Sequence, residues 1–125
     1  MRKSLSKQEL HNLAMNIVGK ELEEQGYEFV AINSQLKRNP QYVCIDKNAQ
    51  YYFVIVKAVL LPEDPEEYDV VWMETFREHA RSNNAKVLFA GVGLGNKDKD
   101  GDPVYLDEPY LLKYAGAQLL DVDLN

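Results

Sequence analysis

One cysteine, one tryptophan and two histidines are all that this 125-residue chain offers of several residue types prominent in redox, metal and binding chemistry. A single cysteine cannot close an internal disulfide. It also cannot supply an iron–sulfur cluster, which takes about four ligands, or a Cys-rich structural zinc site. No apolar run approaches the ~20 residues of a membrane span. The opening Met1-Arg2-Lys3-Ser4-Leu5-Ser6 has no apolar stretch behind it, so no secretory signal is expected. Basic residues are scarce in the second half. Residues 1–60 balance at +2 and residues 61–125 at −8, giving the net charge of −6. Such a chain is repelled by phosphate backbones at long range, which disfavours general nucleic-acid binding. The expectation is a cytoplasmic protein with no membrane partner and no cofactor.

What is present is ordinary globular material: 46% hydrophobic and 27% charged residues, without repeats or low-complexity tracts. A chain of this size forms one domain, residues 1–125, and buries roughly two-thirds of its unfolded surface. Ser6-Lys7-Gln8-Glu9 is a capping box, and Leu10, Leu13, Ala14, Ile17 and Leu22 follow at helical spacing up to Gly26. The first helix is therefore expected over about 7–25. Residues 27–33 and 42–46 are β-rich, residues 47–50 suit a hairpin connection, and 51–61 is the most apolar run in the chain. Asp64-Pro65-Glu66-Glu67 has the chemistry of a helix start. Tyr68, Val71, Trp72, Thr75, Phe76, His79 and Ala80 then form one helical stripe, so a second helix is expected over about 65–82. A strand over 86–92, a loop over 93–103 and a short strand at 104–106 follow. Residues 110–114 read equally as strand or helix. The order is α-β-β-β-α-β with a C-terminal β/α extension, an α/β fold on a single mixed sheet.

Several motifs invite chemistry. Gly91-Val92-Gly93-Leu94-Gly95 follows a strand, but its spacing is not G-x-G-x-x-G and no helix follows to hold a phosphate. Asn96, Asp98, Asp100, Gly101 and Asp107 fall at EF-hand positions, but between strands, with Asp in place of the usual final Glu. The resting expectation is no metal, with Asn96, Asp98, Asp100 and Asp107 a weak candidate loop and Asp102 a further acidic neighbour. Cys44 between Val43 and Ile45 reads as packing. His11 and His79 lie on the two helices without an adjacent nucleophile. Trp72, Phe76 and His79 are the candidate interface, for a protein partner or a second copy as a homodimer. Lys37, Arg38 and Lys57 are the candidate anion-binding residues.

Leu22-Glu23-Glu24-Gln25-Gly26-Tyr27, then Asn33, Ile45-Asp46, a hairpin and Val54-Ile55-Val56-Lys57 together resemble the PD-(D/E)XK superfamily, the restriction-endonuclease-like nucleases. The similarity is to small proteins related to Holliday junction resolvases, and with the helix and strand that follow it covers roughly residues 7–92. The resemblance implies a site of two carboxylates and a lysine around a divalent metal. Carried over by position, the metal-binding Asp falls on Tyr42, the second carboxylate on Ile55, a preceding Glu on Pro40 and a helix-one Glu near Met15. Only the lysine remains, as Lys57. With a turn at 47–50, Tyr42 and Ile55 would be cross-strand neighbours, an apolar pair replacing two charges. Lys57 would then either bind an anion or pair with a carboxylate such as Glu21. The resemblance thus implies a pseudo-nuclease without hydrolytic activity, acting through protein contacts. Three alternatives are residual nucleic-acid binding, a small acidic dimeric chaperone of the type III secretion kind, which a strongly twisted antiparallel sheet with a dimeric helix would favour, and an enzyme using a new metal site around Asp98, Asp100 and Asp102.

Overall fold

A computed structural model gives the fold and describes residues 2–36 and 38–120; the anion-binding candidate Lys37 lies outside the described residues, as does the end of the tail. Helix α1 spans Lys7–Glu24. It opens on the expected box: Ser6 Oγ accepts from the Glu9 N–H at 3.1 Å and Glu9 Oε1 accepts from the Ser6 N–H at 2.9 Å. It ends before Gly26, whose φ of 94° reverses the chain. Strands β1 (Glu28–Ile32), β2 (Tyr42–Ile45) and β3 (Tyr51–Leu60) form an antiparallel meander. Helix α2 (Val70–Ser82) crosses over to β4 (Ala85–Asn96), which is parallel to β3. Strands β5 (Tyr110–Tyr114) and β6 (Gln118–Leu119) both pair antiparallel with β4. The result is one mixed six-stranded sheet, with order β1-β2-β3-β4-β5 and β6 also on β4.

Strand parity sorts the core into two layers. Tyr42, Cys44, Val54, Val56, Leu88, Ala90, Val92 and Leu94 pack with Ala14, Met15, Val18 and Leu22 of α1. Ile55, Val87 and Phe89 pack with Met73, Phe76 and Ala80 of α2. β4 is buried from Val87 through Gly95, as a central strand covered on both faces must be.

Five expectations are corrected. First, the hairpin turns on three residues, 47–49, not on 47–50. Asp46 N–H donates to Gln50 O at 3.1 Å, Asp46 Oδ1 accepts from Asn48 and Gln50 N–H, and Ala49 takes the left-handed φ of 64°. Tyr42 therefore faces Val54, and Ile55 points to the opposite side of the sheet. A one-residue change in a turn moves a side chain to the other face.

Second, α2 begins at Val70, capped by Asp69, whose carboxylate accepts from the Trp72 N–H at 3.0 Å. Asp64 instead caps a tight turn through the Glu66 N–H. Third, the inward face of α2 is Met73, Phe76 and Ala80, while Val71 is 78% and Trp72 40% exposed. Fourth, Gly93 and Gly95 belong to β4 and not to a loop. A Cβ on Gly91 would lie 2.0 Å from Pro65 O, and one on Gly93 2.6 Å from Leu61 Cδ2. The glycines let the β3–α2 connection lie flat across the sheet, which is their role in place of any nucleotide loop. Fifth, residues 104–106 form no strand beyond an isolated Ser4–Tyr105 bridge, and among the described residues the C-terminal extension is β only.

Candidate functional site

β2 reaches only as far as Tyr42, opposite Val54. Beyond that point the β2-facing side of β3 runs on without a strand partner among the described residues, and a cleft of about 330 Å³ opens there. α1 contributes His11, β3 contributes Ile55 and Lys57, the approach to α2 contributes Tyr68, and the first turn of α2 contributes Trp72.

Gln41 seals the point where the sheet ends. Its Oε1 accepts from the Val56 N–H at 2.7 Å, a donor that β2 no longer reaches. Its Nε2 donates to Arg38 O at 3.0 Å and to Asn39 Oδ1 at 2.8 Å. The side chain is 2% exposed, and its bonds satisfy the buried amide itself and the Val56 N–H, groups that burial would otherwise leave unpaired.

His11 is buried just as deeply, on the stripe His11-Ala14-Met15-Val18-Leu22 of α1. Its Nε2 has no hydrogen-bond partner. Burial lowers its pKa, so the imidazole is held neutral. Lys57 is half-buried and donates to the backbone carbonyl of Glu67. It does not pair with Glu21, whose Oε1 accepts from the Tyr114 hydroxyl at 2.9 Å and the Ala117 N–H at 3.1 Å. Among the described residues no carboxylate forms an ion pair with Lys57.

The remaining candidates are scattered. Tyr42 lies on the α1 side, its hydroxyl donating to Met15 O at 2.7 Å and its ring 4.9 Å from that of Phe29. Ile55 packs into the α2-side core. Arg38 is exposed. Trp72 stacks on Phe76 at 5.3 Å, and His79 packs against Phe53 at 6.0 Å. Phe76 is core, so the exposed apolar surface of this helix is made of Val70, Val71 and Trp72 instead. Asn96 closes its own loop: Oδ1 accepts from the Asp98 and Lys99 N–H groups and Nδ2 donates to Pro103 O. Among the described residues no three His, Cys, Asp or Glu side chains are grouped to hold a metal. Burial pushes the Cys44 thiol up to about 12, far from a reactive thiolate.

Gln41 is a cleft residue that sequence reasoning passed over, and His11 one that it weighed only as a base without a nucleophile. The signals were Pro40-Gln41 immediately before a strand, and a histidine three and four residues ahead of Ala14 and Met15.

The family model described as Domain of unknown function (DUF8840) matches residues 8–120, and the chain belongs to that family. No curated protein and no solved structure matches it. No helix among the described residues is long and apolar enough to cross a membrane.

Proposed function

We propose that this chain is a restriction-endonuclease-like domain whose metal site has been filled in, and that it acts by binding, without catalysis. The carrying observation is the chemistry of three positions at one end of the sheet. Pro40-Gln41 and Ile55-Val56-Lys57 align with Pro-Asp and (Asp/Glu)-X-Lys. On this alignment the metal-binding Asp corresponds to Gln41, one residue earlier than Tyr42. An amide committed to Val56, Arg38 and Asn39 stands for one carboxylate, and a core isoleucine stands for the other. A hard divalent cation takes oxygen ligands, mostly carboxylates, and these side chains offer no anionic oxygen. The element order α-β-β-β-α-β over residues 7–96 supports the same reading.

A protein partner in the cytoplasm, or a second copy of the chain, suits the surface better than nucleic acid. Val70, Val71 and Trp72 form an exposed apolar start to α2, and the second half of the chain is strongly acidic. The parallel β3–β4 pair leaves the secretion-chaperone alternative without its antiparallel sheet.

The test has two arms. The purified chain is incubated with supercoiled and branched DNA in magnesium or manganese, and no cleavage is expected; metal-dependent cleavage would overturn the reading. A tagged copy is recovered from its native cells with and without nuclease treatment. Partners that survive the nucleases, and weaken with Trp72→Ala, are the expected result. Partners that vanish with the nucleic acid would favour a DNA- or RNA-binding pseudo-nuclease.

A further inference from the structure

The cleft beside Gln41 holds two polar groups that the fold itself does not use up. Lys57 donates to Glu67 O, which occupies one of its three donors. His11 Nε2 is fully buried without a partner, and His11 lines the same cleft as Lys57. Buried polar atoms are almost always paired. This one is shut off from solvent in the wall of a cleft of about 330 Å³, the size range of small-molecule sites, so a partner from outside the chain reaches it by displacing a lining side chain.

The other lining fixes the class of that partner. Tyr68 and Trp72, over the buried Ile55 and Phe89, offer apolar and aromatic surface suited to a flat ring. Lys57 favours an anion, while the partly positive N-terminal end of α2 is already met by the Asp69 carboxylate. Asp69 lines the cleft as well, so one negative charge is tolerated better than two. His11, neutral, can accept from a hydroxyl or donate to a carbonyl.

We propose that this cleft binds a small aromatic carboxylate, with the carboxylate on Lys57 Nζ, the ring among Ile55, Tyr68, Trp72 and Phe89, and a polar ring substituent at His11 Nε2. The site goes beyond the binding role proposed above and does not depend on descent from a nuclease.

Trp72 is the sole tryptophan and lines the cleft, so its fluorescence reports occupancy. The full chain is titrated with benzoate, para-hydroxybenzoate and para-hydroxybenzyl alcohol, with excitation at the red edge of the indole band. Saturable changes are expected for both carboxylates and not for the alcohol. Removing the cation by Lys57→Met should weaken carboxylate binding about tenfold or more. Lys57→Gln, which can keep the bond to Glu67 O, serves if the first variant does not fold. His11→Met should weaken para-hydroxybenzoate and leave benzoate unchanged. A linear, non-saturating response, equal response to the alcohol, or lysine variants that bind like the wild type would each overturn the proposal; the carboxylate-against-alcohol comparison needs no variant at all.

Discussion

Gln41→Glu changes one group, an amide NH2 to an oxygen, at the point where the sheet ends. The Oε1 bond to the Val56 N–H at 2.7 Å is retained. The two bonds donated by Nε2, to Arg38 O and Asn39 Oδ1, become contacts between oxygens. Each lost bond costs about 1 kcal/mol. The new carboxylate is also buried, and a pKa raised by about two units adds about 2.7 kcal/mol at neutral pH. Rotation of the Asn39 amide would recover one bond. The expected destabilisation at pH 7 is therefore about 3–5 kcal/mol, read as a shift in the urea midpoint followed by Trp72 fluorescence and circular dichroism. The pH dependence has a definite sign. The folded-state pKa of the new acid lies above its unfolded value of about 4.3. The charge penalty is thus absent at lower pH, grows as pH rises through that window, and levels off above the folded-state pKa. Gln41→Met, which has no charge, should be destabilised with no such slope. A Gln41→Glu variant as stable as the wild type at pH 7 would refute the assignment of Gln41 as a buried donor. The cleft built around it would then need another account.

Three further outcomes follow from the packing and the titrating groups. Gly91→Ala places a Cβ 2.0 Å from Pro65 O; backbone must move, so a loss of about 3 kcal/mol is expected in thermal or urea unfolding, at the upper end for overpacking. Burial lowers the His11 pKa, so below about pH 6.5 the unfolded chain takes up a proton that the folded chain resists. Stability should fall as pH drops through that range, and His11→Met should flatten the fall. Cys44 is fully buried with its thiol pushed up to about 12, so it should resist a thiol reagent at pH 8 until urea unfolds the chain; reaction at the rate of a free thiol would contradict its burial.

The sequence was most legible where a local rule and the tertiary fold agree. The Ser6–Glu9 box fixes the start of α1 by chemistry internal to four residues, and the apolar run at 51–61 forms β3, in the middle of the sheet. It was least legible where two good local answers competed. Asp64-Pro65 and Asp69 are both sound helix starts. Asp69 prevails because Pro65 is drawn down onto Gly91, a contact between segments 26 residues apart that no local pattern reveals. The run Gly91 to Gly95 misleads for the same reason, since its spacing is set by the chain lying across it and not by a ligand.

The site depended on a single residue of register. A turn at 47–50 and a turn at 47–49 differ only by Gln50, and the left-handed Ala49 and the Asp46–Gln50 closure distinguish them. With the longer turn, Tyr42 and Ile55 form one apolar plug on one face. With the shorter one, Tyr42 is core beneath α1, Ile55 is core beneath α2, and the residue at the sheet's end is Gln41. What stands at the end of the sheet is therefore an amide bonded to the Val56 N–H, to Arg38 O and to the Asn39 side chain. That amide closes the gap in the sheet, and Lys57 and His11 line the cleft beside it. Gln41 makes its bonds within the fold, whereas His11 Nε2 has no partner. That unpaired nitrogen, in a cleft shared with a lysine that has donors to spare, is the reason to look for a ligand there before looking for one anywhere else on the molecule.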